Sequence, residues 1–242
     1  MQYRFEEGEV LLINKPLTWT SFDIINRFRF FLKKQLGIKK IKVGHAGTLD
    51  PLADGLLIVC TGRFTKRIEE FQGLEKEYTG TFHLGATTPS YDLEHEIDEV
   101  YETSHISDEM IYTAAGKFTG DIMQIPPVYS AIKIGGKRAY KFARNDQDPE
   151  LIARPVNIRE FEITRIALPE VDFRVCCSKG TYIRSLARDF GEALGSGAHL
   201  TVLRRTRIGE FLLENAFSLD DLMAEITNEA GETDLPNETV KD

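Results

Sequence analysis

"GHAGTLDPLADGLLIVC" runs from Gly44 to Cys60 and sets three glycines (44, 47 and 55), Pro51 and His45 around one carboxylate, Asp50. Asp before Pro favours a turn, because proline pushes the residue before it toward extended geometry. The glycines allow positive φ or the close approach of another chain. The apolar run Leu56–Cys60 that follows has the length and composition of a buried strand. An aspartate on a tight loop before such a strand has two uses. It can brace the turn by accepting backbone amides, or it can do chemistry. Neither a Ser/His/Asp pattern nor a pair of acids with glycosidase spacing accompanies it. A lone carboxylate acts as a covalent nucleophile when a cation keeps it ionised.

Outward from this loop, Gly8–Asn14 reads as a strand ended by Lys15-Pro16. Thr20 with Asp23 three residues on forms a capping box. Phe22, Ile25, Phe28 and Leu32 then recur at helical spacing and mark a buried face. Thr65–Phe71 reads as a short helix and Glu77–Gly85 as a strand. Thr87–Glu102 is acidic and turn-rich, an expected exposed loop, and Ser107–Gly120 is helical. Ile122–Arg144 is extended before Gly135-Gly136 and helical over Arg138–Arg144. Strands are expected over 152–168 and 170–177, then a helix burying Ile183, Leu186, Ala187, Phe190 and Leu194. Residues 199–213 read as two short strands about a turn. The irregular alternation, with strands dominating the middle, indicates an α+β fold with a mixed, largely antiparallel central sheet flanked by helices.

The 242 residues carry a net charge of −8, which argues against a nucleic-acid partner until its distribution is considered. Glu214–Asp242 holds nine acids against one base, and Asp92–Glu109 eight acids with no Lys or Arg. The remainder is net positive. Arg27, Arg29, Lys33, Lys34, Lys39, Lys40 and Lys42 fall in an acid-free stretch, and Arg204, Arg205 and Arg207 form a second basic cluster. A positive face is therefore available. The three cysteines (60, 176, 177) form no disulfide framework or zinc pattern. No stretch approaches the ~20 apolar residues of a membrane helix. A reducing, cytoplasmic setting is expected.

Four segments, in order, carry a resemblance. "KVGHAGTLDPLADGLLIVCTGRFTK" (42–66) resembles the catalytic motif of the TruB family of tRNA pseudouridine synthases. "INKPLTWTS" (13–21), "IPPVYSAIKIGGKRAYKFAR" (125–144) and "CSKGTYIRSLARDFGEALGSGAHLTVLRR" (177–205) are similar to three further motifs of that family. The match covers roughly residues 8–225. It implies a pseudouridine synthase-like catalytic domain that converts a uridine to pseudouridine, at position 55 in the T loop of tRNA. No metal and no organic cofactor is implied. By place in the motifs, Asp50 corresponds to the nucleophile, Tyr78 to the tyrosine stacking on the flipped base, and Arg184 to the arginine pairing with the aspartate. Tyr182 and Leu203 correspond to positions lining the uracil pocket, and His45 to the loop histidine that accompanies nucleotide displacement. Lys15 and Lys66 are substrate-binding candidates that contact phosphates or brace the loop. Taken alone, Tyr78 reads as a strand tyrosine, Arg184 as a solvated helix residue and His45 as a loop brace. The motif context reverses those readings.

The resemblance implies one catalytic domain over 1–226 with an RNA-gripping insertion at roughly 120–150. Residues 227–242 are expected as an acidic, disordered tail, with no C-terminal RNA-binding domain. The expected partner is the T-arm stem-loop of tRNA, with no membrane, no obligate protein partner and a monomeric enzyme. Asp54 stands where many relatives have a threonine, adding a charge near Asp50. Two other classes compete. A non-catalytic RNA-binding or tRNA-folding protein would share the basic clusters. A carbohydrate-active hydrolase would need a second acid that the sequence does not identify.

Overall fold

The computed structural model describes residues 3–130, 133–134, 137–138 and 151–232. In chain order its elements are β1 (Val10–Lys15), α1 (Ser21–Gln35), β2 (Val43–His45), β3 (Asp54–Thr61), a 3-10 turn (Gly62–Arg67), α2 (Ile68–Gly73), β4 (Lys76–Leu84), β5 (Ala86–Thr87) and β6 (Glu99–Val100). They continue with α3 (Asp108–Lys117), β7 (Gly120–Gln124), β8 (Lys133–Ile134), β9 (Lys137–Arg138), β10 (Arg154–Ala167) and β11 (Glu170–Cys177). The last are α4 (Ile183–Ala193), β12 (Ala198–Ile208), β13 (Phe211–Leu212) and α5 (Leu219–Glu232). The chain divides into two compact units, 1–73 with 207–242, and 74–206.

In the first unit β3 pairs antiparallel with β1 (Ile13 opposite Leu57) and with β2 (His45 opposite Val59). Alternation buries Leu11, Ile13 and Lys15 of β1, while β3 is buried nearly throughout, as a strand covered on both faces must be. The expected capping box is present: Thr20 Oγ1 accepts the Asp23 N–H at 3.1 Å and the Thr20 N–H donates back to Asp23 Oδ2 at 2.8 Å. The helix α1 lays Ile24, Ile25, Phe28 and Leu32 against Leu57, Val59, Leu222 and Ile226. Burying Phe28 is worth about 1.5–3 kcal/mol relative to leaving it exposed. One expectation is corrected. Phe22 is 58% exposed, and Ile24 takes its place on the buried face, because the face that meets the sheet lies one residue's turn away. α5 also runs to Glu232, beyond the expected boundary at 226, since Leu222 and Ile226 anchor it in this core. The tail expected over 233–242 lies outside the described residues.

The second unit has the strand order β12-β4-β11-β10-β7, with antiparallel ladders from β4 to β11 (Tyr78 opposite Val175), β11 to β10 and β10 to β7. These antiparallel ladders with flanking helices are the α+β architecture expected. One face carries Phe82, Phe161 and Phe173, on which α4 seats Phe190 with centroids 5.5 Å from Phe82 and Phe161. The opposite face is a lattice of exposed ion pairs, such as Arg174 with Glu160 and Glu162 and Arg165 with Glu170 and Asp172, each contributing little. Residues 199–213 form one long strand, β12, turning at Gly209 (φ +55°) into the short β13, rather than two short strands. The beginning of the expected insertion, β7, belongs to this sheet, and β8 and β9 make a small hairpin that includes Arg138. The helix expected over 138–144 lies, from 139 onward, outside the described residues.

Candidate active site

The Asp50 loop is built from its own unit. Gly47 (φ +100°) and Gly55 (φ +106°) sit in the left-handed region, so the turn needs glycine at both places. The Ala53 N–H donates to Asp50 O at 3.1 Å and closes the turn. The loop is then fastened to the start of α1. Ser21 Oγ accepts the Leu49 N–H at 2.8 Å and donates to Leu49 O at 3.1 Å, and both residues are buried. The Thr18 N–H donates to Pro51 O at 2.8 Å from a residue held at φ +69°. Lys15 is fully buried and its Nζ donates to Pro16 O and Trp19 O at 2.8 and 2.7 Å. Residues 15–21 thus form a buttress under the carboxylate. Asp50 itself is half-buried, as are His45, at the end of β2, and Asp54, at the start of β3.

In the second unit Arg184 is buried, although an isolated helix arginine is ordinarily solvated. Its Nη1 donates to Ser90 O at 3.2 Å, its Nη2 to Tyr129 O at 2.9 Å, and its Nε lies 3.6 Å from Asp92 Oδ2. Asp92 is also buried and its Oδ1 accepts the Glu94 N–H at 3.0 Å. The expectation of an exposed loop over 87–102 holds for residues 93–102, apart from the half-buried His95, and is corrected before them. Thr88, Ser90 and Asp92 are turned inward, because a buried guanidinium needs acceptors and the acidic segment supplies them. The turn is held by Thr88 Oγ1 donating to Asp92 O at 2.7 Å and the Leu200 N–H donating to Tyr91 O at 2.9 Å. Tyr91 is strained at φ +62°, and Arg188 lies over its ring at 5.1 Å. Burial pushes the neighbouring Asp189 carboxyl above the usual carboxylate range, against the opposing pull of Arg188.

Lys15, His45, Asp50 and Lys66 therefore belong to the first unit, and Tyr78, Tyr182, Arg184 and Leu203 to the second. Tyr78 shares the inner face of β4 with Gly80, Phe82 and Leu84 through the two-residue period. That is the face α4 covers, and Tyr182 and Arg184 stand at the start of α4. Leu203 is buried in β12. Lys66 is exposed in the 3-10 turn. Of the two uses expected of Lys15, contacting phosphates or bracing the loop, its full burial and its donation to Pro16 O and Trp19 O fit the brace. The basic cluster 204–207 is corrected too, since strand alternation puts Arg205 inside and leaves Arg204 outside. Sequence reasoning missed Ser21, Asp92 and Gln124. Ser21 carried a usable signal, a small polar residue directly after the N-cap. Asp92 carried none, being one acid among many.

The H/ACA RNP bound to a substrate RNA containing 2′-deoxyuridine and a Cbf5-Nop10-Gar1 complex each contain a chain similar to this one, with TM-score 0.68 and 27% and 30% identity. They match over 96% and 94% of this chain but 57% of theirs, so the chain spans just over half of their length. The chain thus shares the fold of those chains. Residues 33–183 match the TruB family pseudouridylate synthase N-terminal domain, and 184–241 match the tRNA pseudouridylate synthase B C-terminal domain. The chain belongs to the TruB family of pseudouridylate synthases. It is 59% identical to the tRNA pseudouridine synthase B of Flavobacterium johnsoniae, over 88% of this chain and 93% of that one. It is 52% identical to the protein of that name in Bacteroides thetaiotaomicron, over 96% and 99%.

Proposed function

We propose that this protein isomerises uridine to pseudouridine in the T loop of tRNA, at position 55, with Asp50 as the nucleophile. The observation that carries this is 59% identity, over nearly the whole of both chains, to a tRNA pseudouridine synthase B. In the reaction the C1′–N1 bond breaks, C1′ joins C5, the C5 proton leaves to solvent and N1 gains a proton. Asp50 acts on the nucleotide from a turn that its buttress holds still. Tyr78 stacks on the everted uracil, worth ~1–3 kcal/mol. Eversion itself costs a few kcal/mol, which such stacking offsets. Arg184 keeps the nucleophile anionic and oriented. Tyr182 and Leu203 line the uracil pocket, and His45 occupies the space the nucleotide vacates. Lys66 and the exposed Lys33, Lys34, Lys39, Lys40 and Lys42 meet phosphates. The enzyme works as a monomer in the cytoplasm, without metal, organic cofactor or obligate protein partner.

The test is tritium release from C5-labelled uridine in a T-loop RNA. Wild type releases label and Asp50→Asn falls to background. Equal release from both removes Asp50 from the mechanism, and release from neither favours a tRNA-binding protein on this scaffold. RNA affinity falls steeply with added salt, and a salt-independent affinity counts against the basic footprint.

A further inference from the structure

The start of α4 poses a problem of hydrogen bonding. A helix leaves its first N–H groups without intrahelical acceptors, and a capping side chain ordinarily serves them. The residue at this N-cap is Tyr182, whose side chain makes no capping bond. The help comes from 58 positions earlier. The Tyr182 N–H donates to Gln124 Oε1 at 2.8 Å, and Gln124 Nε2 donates to Tyr182 O at 3.1 Å. Gln124, the last residue of β7, is 1% exposed, so neither bond competes with water. A primary amide is suited to this task, since it offers a donor and an acceptor side by side to the two polar groups of one backbone residue. The docking continues along the helix. Ser185 Oγ and Arg188 Nη2 donate to Ile125 O at 2.8 and 3.2 Å, and Arg184 Nη2 donates to Tyr129 O.

We propose that Gln124 is a positioning residue for the isomerisation: by clamping both backbone polar groups of Tyr182 it sets where the first turn of α4 delivers Tyr182 and Arg184. The inference rests on the roles given to those two residues above. Arg184 follows the clamp by two residues, with only the first helical turn between them. Without the clamp that turn frays, as helix ends do. The guanidinium then loses the alignment that lets it reach Ser90 O, Tyr129 O and Asp92 together. A shift of about 1 Å at such a group is enough to cost ~100-fold in rate. Glutamate cannot substitute when ionised, because it accepts from the Tyr182 N–H but has no proton to donate to Tyr182 O.

The experiment is single-turnover tritium release, together with RNA binding and thermal melting, for wild type, Gln124→Leu and Gln124→Glu. Gln124→Leu is expected to lower the rate by roughly 10- to 100-fold with RNA affinity unchanged. Gln124→Glu is expected to be slow at alkaline pH. It recovers toward wild type as the pH falls and the buried carboxyl takes up the proton it must donate, a rise that wild type lacks. Rates equal to wild type in both variants overturn the proposal, as does a rate loss that follows RNA affinity with no recovery in acid. Should Gln124→Leu fail to fold, the pH profile of Gln124→Glu decides alone. A wild type that releases no tritium overturns the assigned activity instead, and the two failures are distinguishable.

Discussion

The Asp50 loop and the Arg184 centre hold their side chains by opposite means. Asp50 sits half-buried on a turn fixed by neutral hydrogen bonds to a buttress only 28 residues away, Ser21 to Leu49. Arg184 is buried in an ionic and carbonyl cage assembled from residues 94 and 55 positions distant. The first rigidifies the backbone on either side of Asp50 through the bonds to Leu49 and Pro51. The second places a charge where it must be fully compensated, so its geometry follows from the surrounding acceptors. Each region also contains one non-glycine residue at positive φ, and the two differ in the same sense. Thr18, at φ +69°, is an exposed residue whose backbone does the work, whereas Tyr91, at φ +62°, also has its side chain engaged by Arg188.

The largest effect expected from breaking this contrast comes from Asp92→Ala. It removes the carboxylate beside the buried Arg184 guanidinium and is expected to destabilise by about 3–5 kcal/mol. Urea unfolding measures it. A loss below 1 kcal/mol would show that water reaches the cage. Next comes Ser21→Ala, which strands the buried Leu49 N–H and C=O at a cost of about 1–3 kcal/mol. It should also slow tritium release more than it weakens RNA binding, because the turn under Asp50 loosens. The two strained residues then give opposite signs. Thr18→Gly should be stabilising by up to about 1 kcal/mol, by relieving left-handed strain at an exposed side chain. Tyr91→Gly should be destabilising despite the same relief, because it removes the surface on which Arg188 stacks. Matching signs would collapse the distinction.

The smallest effect concerns pH. Burial, followed by His199 whose ring lies 5.1 Å away, lowers the His83 pKa from 6.5, with Glu170 opposing. The unfolded chain therefore binds this proton more readily than the folded one. The contribution is intact above pH 6.5 and is lost as pH falls through the lowered folded value. Thermal melting of wild type beside His83→Gln across that range should show a shallower acid-side loss in the variant.

How much was legible follows from what each feature depends on. The capping box, the Asp50 turn and the apolar face of α4 rest on residues within a few positions of one another, and local sequence displays such spacing. Phe22 was misjudged because a helical period marks an apolar stripe without saying which edge of it meets the sheet. The acidic stretch around Asp92 was misjudged for a deeper reason. Composition gives charge its average meaning, which is exposure, and only a buried partner reverses it. Arg205 was misread in the same way, as a cation whose strand phase turned it inward.

The sequence alone determined the α+β class, the loop that presents Asp50, and membership of a recognisable group of motifs, since these are written in short spacings and turn chemistry. Only the tertiary structure decided which charges are buried, what Arg184 grips, and that Gln124 caps a helix from another strand. Those outcomes depend on long-range juxtaposition, where the cost of burying a polar group is met by partners that no local window contains.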